Sequence, residues 1–315
     1  MNVLTVATRG GRLAIAQTEI VSSALKKIYP NLRIKTKKIT TRGDRDRRTA
    51  LWNLRDTGFF TTQVEDALLA GETDFAVHSF KDLPTRLREG LTIAAVCQRQ
   101  FPEDCLIAAE SIDSFDQLRQ STKIGTSSLR RAAQLRRLRA DLKPTSIRGN
   151  VLTRIRRLEA RPECNRREGK FDAIILARAG IERLGLGHKI SFCFDPEQFI
   201  PAPAQGALAV QTRVDDMTAT NLVAALNDKN ASTVTFAERQ VLVTMQCGCH
   251  APVGAFAKID GDDIEITAFI SDLQGKNFIR RRIKGPAEQA GKLAEKLANQ
   301  LLSSGGTKIL ASLEE

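Results

Sequence analysis

The run Phe171-Asp172-Ala173-Ile174-Ile175-Leu176-Ala177 is almost continuously apolar. That is the pattern of a strand covered on both faces, and such a strand needs helices on either side of its sheet. The chain supplies them by alternation. Strand-like segments at Leu4 to Thr8, Leu32 to Thr40, Asp74 to His78 and Leu91 to Cys97 alternate with helical spacing at Leu13 to Ile28 and Gln63 to Leu69. A second alternating set has strands at Leu106 to Ala108, Lys123 to Gly125, Thr145 to Arg148 and Phe171 to Ala177, and Gly206 to Thr212 adds one more. Two such sets predict two α/β domains facing each other across a cleft. A helical stretch then runs from Asp216 to Met245. Three strand-like runs follow (Gly254 to Ile259, Ile264 to Ile270, Phe278 to Ile283), then a helix from Ala287 to Leu302, predicting a small C-terminal α+β domain. Thr41 to Thr57 is polar, rich in Arg and Asp and long for a connection, a type of loop that is often functional or disordered.

The segment Gly125-Thr126-Ser127-Ser128-Leu129-Arg130-Arg131 joins a strand end to a helix start. Its Thr and Ser residues are good N-caps, and helix N-termini attract anions. Arginine adds a planar fork that grips carboxylate or phosphate. Two cations at a helix start oppose the helix dipole, so a negative group is expected to compensate. A solvated basic helix is the competing reading, since Arg136, Arg137 and Arg139 follow. Further arginines recur near strand ends: Arg9, Arg148, Arg154 one turn into the next helix, and Arg183. Ligands of open α/β sheets bind at the carboxyl ends of strands, so the set suggests a cleft lined for a polyanion. Solubility charge is the plain alternative for any one of them.

Net charge is +12 over 315 residues, which calls for an anionic partner without naming it. Aromatics make up only 5%, against a base-stacking surface. Met1 to Arg9 lacks a signal layout and no apolar run approaches the ~20 residues of a membrane span, so a cytoplasmic protein is expected. The six cysteines are scattered, which predicts reduced thiols, with Cys97 and Cys105 as packing residues. Asp82, in Ser79-Phe80-Lys81-Asp82, is a carboxylate among cations that can steady a developing cation or relay a proton, or simply pair with Lys81. Cys247-Gly248-Cys249-His250 has no second Cys/His cluster to complete a zinc site and lacks Cys-x-x-Cys spacing. No metal is expected. A covalent attachment thiol and two ordinary thiols both remain open.

In order, Ala7-Thr8-Arg9, Thr41-Arg42-Gly43-Asp44, Ala76 to Asp82, Gly125 to Arg131, Arg148-Gly149-Asn150 with Arg154, Asp172 to Ala177, Pro201 to Ala207, Ala237-Glu238-Arg239 and Gly248-Cys249 with Pro252 and Gly254 resemble the hydroxymethylbilane synthase (porphobilinogen deaminase) family throughout the chain. The resemblance implies two α/β domains like type 2 periplasmic binding proteins plus a three-stranded C-terminal α+β domain. The expected division is 1–99 with 201–224, then 100–200, then 225–315. It implies a dipyrromethane cofactor joined by a thioether to Cys249. It also implies head-to-tail assembly of four porphobilinogen units with loss of ammonia, then hydrolytic release, by a monomer that binds neither nucleic acid nor membrane. By resemblance, Asp82 is catalytic. Arg9, Arg130, Arg131, Arg148, Arg154 and Arg183 bind pyrrole carboxylates, and Ser79, Lys81, Thr126, Ser127 and Ser128 contact substrate or cofactor. The chain departs from the pattern at Gly11, where a serine is usual, and at Asn53 and Thr57, where loop lysines are usual. Arg45, Arg47, Arg48 or Arg55 is expected to supply that cation. Residues 160–169 extend a connection, and Cys247 replaces a glycine. Rival readings are a non-catalytic polyanion binder on the same scaffold and a nucleic-acid-binding protein; neither needs Asp82 or Cys249.

Overall fold

The computed structural model describes residues 3–41, 61–159, 171–247 and 251–313. The loop residues 42–59, the extension 160–169 and Cys249 lie outside the described residues. In chain order the elements are β1 (Val3–Arg9), α1 (Arg12–Ile28), β2 (Arg33–Ile39), α2 (Thr62–Leu69), β3 (Phe75–Ser79), β4 (Leu91–Val96), β5 (Asp104–Ala108), β6 (Lys123–Gly125), α3 (Leu129–Leu138), β7 (Lys143–Thr145), α4 (Val151–Glu159), β8 (Ala173–Ala177), α5 (Arg178–Glu182) and β9 (Phe192–Cys193). They continue with β10 (Leu208–Arg213), α6 (Met217–Ala224), α7 (Lys229–Met245), β11 (Val253–Asp260), β12 (Asp263–Ser271), β13 (Phe278–Pro286), α8 (Ala290–Leu301) and α9 (Thr307–Ala311).

Two mixed sheets share one plan. The first has the order β2-β1-β3-β10-β4, with β1 parallel to β2 and β3, and β10 antiparallel to β3 and β4. The second has the order β7-β6-β8-β5-β9, with β6 parallel to β7 and β8, and β5 antiparallel to β8 and β9. Alternation of side chains covers both faces of each. In β8, Ile174 and Leu176 pack towards Ile155 of α4, while Ala173 and Ile175 pack towards Leu135 of α3. In β1, Leu4 and Val6 meet Val21 and Leu25 of α1, and Ala7 meets Val64 and Leu68 of α2. The third sheet, β11-β12-β13, is antiparallel, and α7 and α8 cover it through Val241, Leu297 and Leu301.

The differences from expectation are local. The strand expected at Thr145 to Arg148 is β7, Lys143–Thr145. The Thr145 carbonyl accepts from Thr126 N at 2.8 Å, and the chain then turns so that Ile147 enters the core. The helical stretch from Asp216 to Met245 is two helices. Asp216 and Asp228 each act as an N-cap, accepting from Ala219 N at 2.9 Å and Ala231 N at 2.7 Å. β9 is two residues long, too short to show a period.

The chain crosses between the mixed sheets twice, at 97–103 and 199–206, and the crossovers lie side by side. Gln100 N donates to the Gly206 carbonyl at 3.4 Å and Arg99 Nε to the Gln205 carbonyl at 2.9 Å. Gly206 has φ +94°, and a Cβ there would stand 2.5 Å from the Gln100 carbonyl oxygen. Gly206→Ala is expected to lower stability by about 2 kcal/mol or more in urea unfolding. Gly261→Ala, at φ +60° with no heavy atom within 4 Å, should cost only about 1 kcal/mol.

Candidate active site

The carboxyl ends of β1, β3, β6 and β8 bring Arg9, Ser79, the Thr126 turn and the chain leading to Arg183 to the site region. Past β3, a single 3₁₀ turn over Phe80–Asp82 presents Lys81 and Asp82. Lys81 is half-buried and Asp82 exposed. Burial lowers the Lys81 pKa to about 8; Asp82 and Asp104 favour its charge, and Arg131 and Arg130 oppose it. Ser79 Oγ accepts from Gln17 Nε2 of α1 at 2.8 Å. Beneath these, His78 is buried and its pKa falls to about 4, mainly through desolvation, with Arg9 adding to the shift. A neutral imidazole therefore underlies the site at physiological pH.

The turn before α3 is built by its own hydroxyls. Ser128 Oγ caps the helix by accepting from Arg131 N at 3.4 Å, and Thr126 Oγ1 accepts from Ser128 N at 3.2 Å. Ser127 Oγ donates to the Ile147 carbonyl. The two arginines that follow are buried. Arg131 donates to Asp104 Oδ1 from Nη2 at 2.7 Å and from Nε at 3.0 Å, and to the Ile175 carbonyl at 3.2 Å. Arg130 Nη2 lies 2.8 Å from Asp104 Oδ2, off the hydrogen-bond axis, and Nη1 donates to the Ile200 carbonyl at 2.7 Å. The chain's own Asp104, at the start of β5, supplies a negative group opposite these cations. Asp104 is fully enclosed. Burial alone would raise its pKa, but Arg130, Arg131 and a hydrogen bond from Gln205 outweigh that and hold it well below the usual carboxylate range.

Arg148 and Arg154 differ from that pair. Arg154 Nε donates to the Gly149 carbonyl at 2.8 Å, and its pKa falls to about 10 through desolvation and the charges of Arg131, Arg148 and Arg157. The half-buried Arg148 carries a buried Nε with no hydrogen-bond partner. Neither pairs with a carboxylate among the described residues. Arg183, lowered to about 10 by desolvation, donates to the Gly206 carbonyl. Buried guanidiniums with an orphaned N–H and mutual repulsion fit a ligand carrying carboxylates. Such a ligand would supply the missing acceptors.

Other residues bear on the site without a sequence signal. Asp104 pairs with arginines 26 and 27 positions away, so spacing could not reveal it. Gln17 reads as a polar residue on a helix face but is buried against Ser79. Gly11 adopts an extended conformation at the N-cap of α1, with no heavy atom within 4 Å of a Cβ position, so a side chain would fit there. Cys247 is buried in the core of the third sheet. Burial raises the Cys97 thiol to about 11 and raises Cys105 further, as packing residues should show.

Asp104→Asn removes the charge between two buried guanidiniums and is expected to cost about 3 to 5 kcal/mol in urea unfolding at neutral pH. Glu110→Gln, in an exposed pair with Arg119, should change stability by less than about 0.5 kcal/mol. Because the folded pKa of Asp104 is depressed, its contribution is complete above about pH 4 and lost as pH falls through the depressed value. The gap between the native chain and Asp104→Asn should therefore be constant above about pH 4 and narrow progressively below it.

Comparison with known proteins follows the same residues. Residues 4–221 match the family described as "Porphobilinogen deaminase, dipyromethane cofactor binding domain", and residues 232–303 match "Porphobilinogen deaminase, C-terminal domain". The porphobilinogen deaminase of Pelobacter propionicus is 40% identical over 98% of this chain and 96% of its own. That of Roseiflexus castenholzii is 40% identical over 98% and 99%, and that of Geotalea uraniireducens 38% identical over 99% and 95%. Among solved structures, the alkanesulfonate-binding protein SsuA from Xanthomonas axonopodis pv. citri covers 77% of this chain and 74% of its own at 13% identity, with a TM-score of 0.37. The assignment rests on the sequence relatives and on the cationic site described above: the chain belongs to the porphobilinogen deaminase family.

Proposed function

We propose that Asp82, Lys81 and the arginines at the strand ends carry out hydroxymethylbilane synthesis in this chain, joining four porphobilinogen molecules head to tail with loss of ammonia before hydrolytic release. The activity class is that of a porphobilinogen deaminase, a transferase with a dipyrromethane cofactor domain. The observation that carries the residue assignment is an unbalanced cationic set: Arg148 has a buried Nε without a hydrogen-bond partner, Arg154 is opposed by the charges of Arg131, Arg148 and Arg157, and neither Arg148 nor Arg154 pairs with a carboxylate among the described residues. Porphobilinogen bears an acetate and a propionate, so each unit brought to the site carries two such partners.

When bound, the dipyrromethane cofactor supplies an electron-rich pyrrole carbon as nucleophile and primer. We assign its holding to Ser79, Lys81, Thr126, Ser127, Ser128 and the arginines, and its thioether to Cys249. The protein's own part is electrostatic. Loss of ammonia from porphobilinogen leaves a cationic pyrrole methylene; we assign to the exposed carboxylate of Asp82 the stabilisation of that cation, the acceptance of hydrogen bonds from pyrrole N–H groups, and the removal of the proton that the attacking pyrrole carbon loses as the new C–C bond forms. Arg9, Arg148, Arg154 and Arg183 hold carboxylates and fix the reacting carbon relative to Asp82. Arg130 and Arg131 act mainly through their buried pair with Asp104, which keeps the start of α3 in place. A division into 1–99 with 201–224, 100–200 and 225–315, a monomeric state and a cytoplasmic location complete the reading. Among the described residues no helix is long and apolar enough to cross a membrane.

Intact-mass measurement tests the attachment. The native chain should carry an excess mass of two pyrrole units, and Cys249→Ser should carry none; an adduct retained in Cys249→Ser would refute the assignment. Asp82→Asn should lower kcat by about 10²- to 10⁴-fold with folding intact, while Arg154→Ala should raise KM more than it lowers kcat. If the purified chain never gains the adduct on addition of porphobilinogen, the polyanion-binding reading takes precedence.

A further inference from the structure

Gln205 lies on the returning crossover and is completely enclosed. Its side-chain amide makes three hydrogen bonds. Oε1 accepts from Lys81 Nζ at 3.1 Å, and Nε2 donates to Asp104 Oδ1 at 3.0 Å and to the Pro102 carbonyl at 2.8 Å. The ionised Asp104 and the Pro102 carbonyl can only accept, so the NH₂ end must face them. The oxygen end must then face Lys81. The amide cannot turn round without setting oxygen against oxygen on one side and N–H against ammonium on the other.

We propose that Gln205 is a positioning residue for condensation. It fixes the Lys81 ammonium beside Asp82 and transmits to it the orientation set by the buried Asp104–Arg130–Arg131 cluster. The inference rests on the reading that Lys81 and Asp82 belong to the active site. Among the described residues, the charged groups that act on Lys81 are Asp82 of its own turn, Asp104 of β5, and Arg130 and Arg131 of α3. Gln205 is the neutral acceptor among them. It supports the ammonium without adding a charge that would repel Asp104 or hold a carboxylate-bearing substrate away. The backbone gives the amide little freedom: Gln205 sits between Ala204 at φ +61° and Gly206 at φ +94°, and its carbonyl is held by Arg99 Nε.

Two exchanges of similar size separate this role from a merely structural one, because they move Lys81 in opposite directions. Gln205→Met removes the acceptor and Gln205→Glu makes it a charged one. In each cofactor-loaded protein, the rate of acetylation at Lys81 is followed against pH by peptide mass spectrometry, and the pH profile of kcat/KM for porphobilinogen is recorded alongside. The native midpoint is expected at about 8. It should fall by about half to one unit in Gln205→Met and rise by a similar amount in Gln205→Glu, with the alkaline limb of kcat/KM moving in the same directions. Shifts of one sign in both variants, or no shift, overturn the proposal. Opposite labelling shifts that the activity profile does not follow remove Lys81 from the active site, and the positioning role with it. That failure is distinct from failure of the overall function, which the adduct mass reports. If either variant does not fold, Gln205→Asn provides the test. It is one methylene too short to reach both sides, so it should lower the midpoint, and an unchanged midpoint overturns the proposal.

Discussion

A carboxylate sealed from water between two guanidiniums is the interaction on which the rest of this structure depends. Asp104 opens the antiparallel strand that the second sheet borrows from the first crossover, and Arg130 and Arg131 open the helix that packs on that sheet. Desolvating such a group is expensive, and the attraction offsets it only where geometry and supplementary hydrogen bonds are complete. Here the Ile175 and Ile200 carbonyls and the Gln205 amide supply most of the set, while Asp104 Oδ2 keeps only its close contact with Arg130. The cluster therefore gives more register than net stability. It specifies where β5, the start of α3 and the returning crossover must meet, and the turn that bears Lys81 is tied to that meeting point through Gln205.

The sequence disclosed the layers well. Two-face burial of Ala173 to Leu176 followed from an uninterrupted apolar run, and the alternating strands and helices led directly to two mixed sheets with a separate antiparallel one. It also showed where the arginines fall along the chain, near the strand ends. It did not separate the arginines by use. Arg130 and Arg131 look like the best ligand grips in the chain, adjacent and at a helix start, yet both are turned inward onto Asp104. Arg148 and Arg154 read as two members of the strand-end set with no distinction from the rest, and among the described residues neither pairs with a carboxylate. That distinction depends on a residue distant in sequence, and pattern cannot carry it. The same limit hid Gln205, whose importance comes from facing three other segments at once. Thr126, Ser127 and Ser128 were legible as helix-start residues, and their hydroxyls do build that turn.

Excess positive charge has a physical meaning in an enzyme whose substrate brings two carboxylates per unit. Buried guanidiniums that depress one another's basicity store electrostatic strain, as at Arg154, and a carboxylate that arrives relieves it. On the proposed reading, relief of that strain would favour binding wherever pyrrole carboxylates meet these arginines, and Asp82, exposed and on a short turn, would be left to serve the position where positive charge develops.

The third sheet is joined to the others through Glu238 of α7. That carboxylate is fully enclosed, pairs with Arg99 of the first crossover at 2.7 Å, and accepts from Ala204 N of the second crossover and from Ala257 N of its own sheet, each at 2.7 Å. Its neighbour Arg239 donates to the Phe80 and Leu83 carbonyls at 3.2 and 3.0 Å, beside the turn that bears Lys81 and Asp82. In mechanical terms, the C-terminal unit is bolted to the axle between the two walls and to each wall as well: Arg239 grips the Phe80 turn on one side, and Arg136 of α3 donates to the Leu273 carbonyl on the other. Loosening Glu238 would therefore disturb a joint that all three units share.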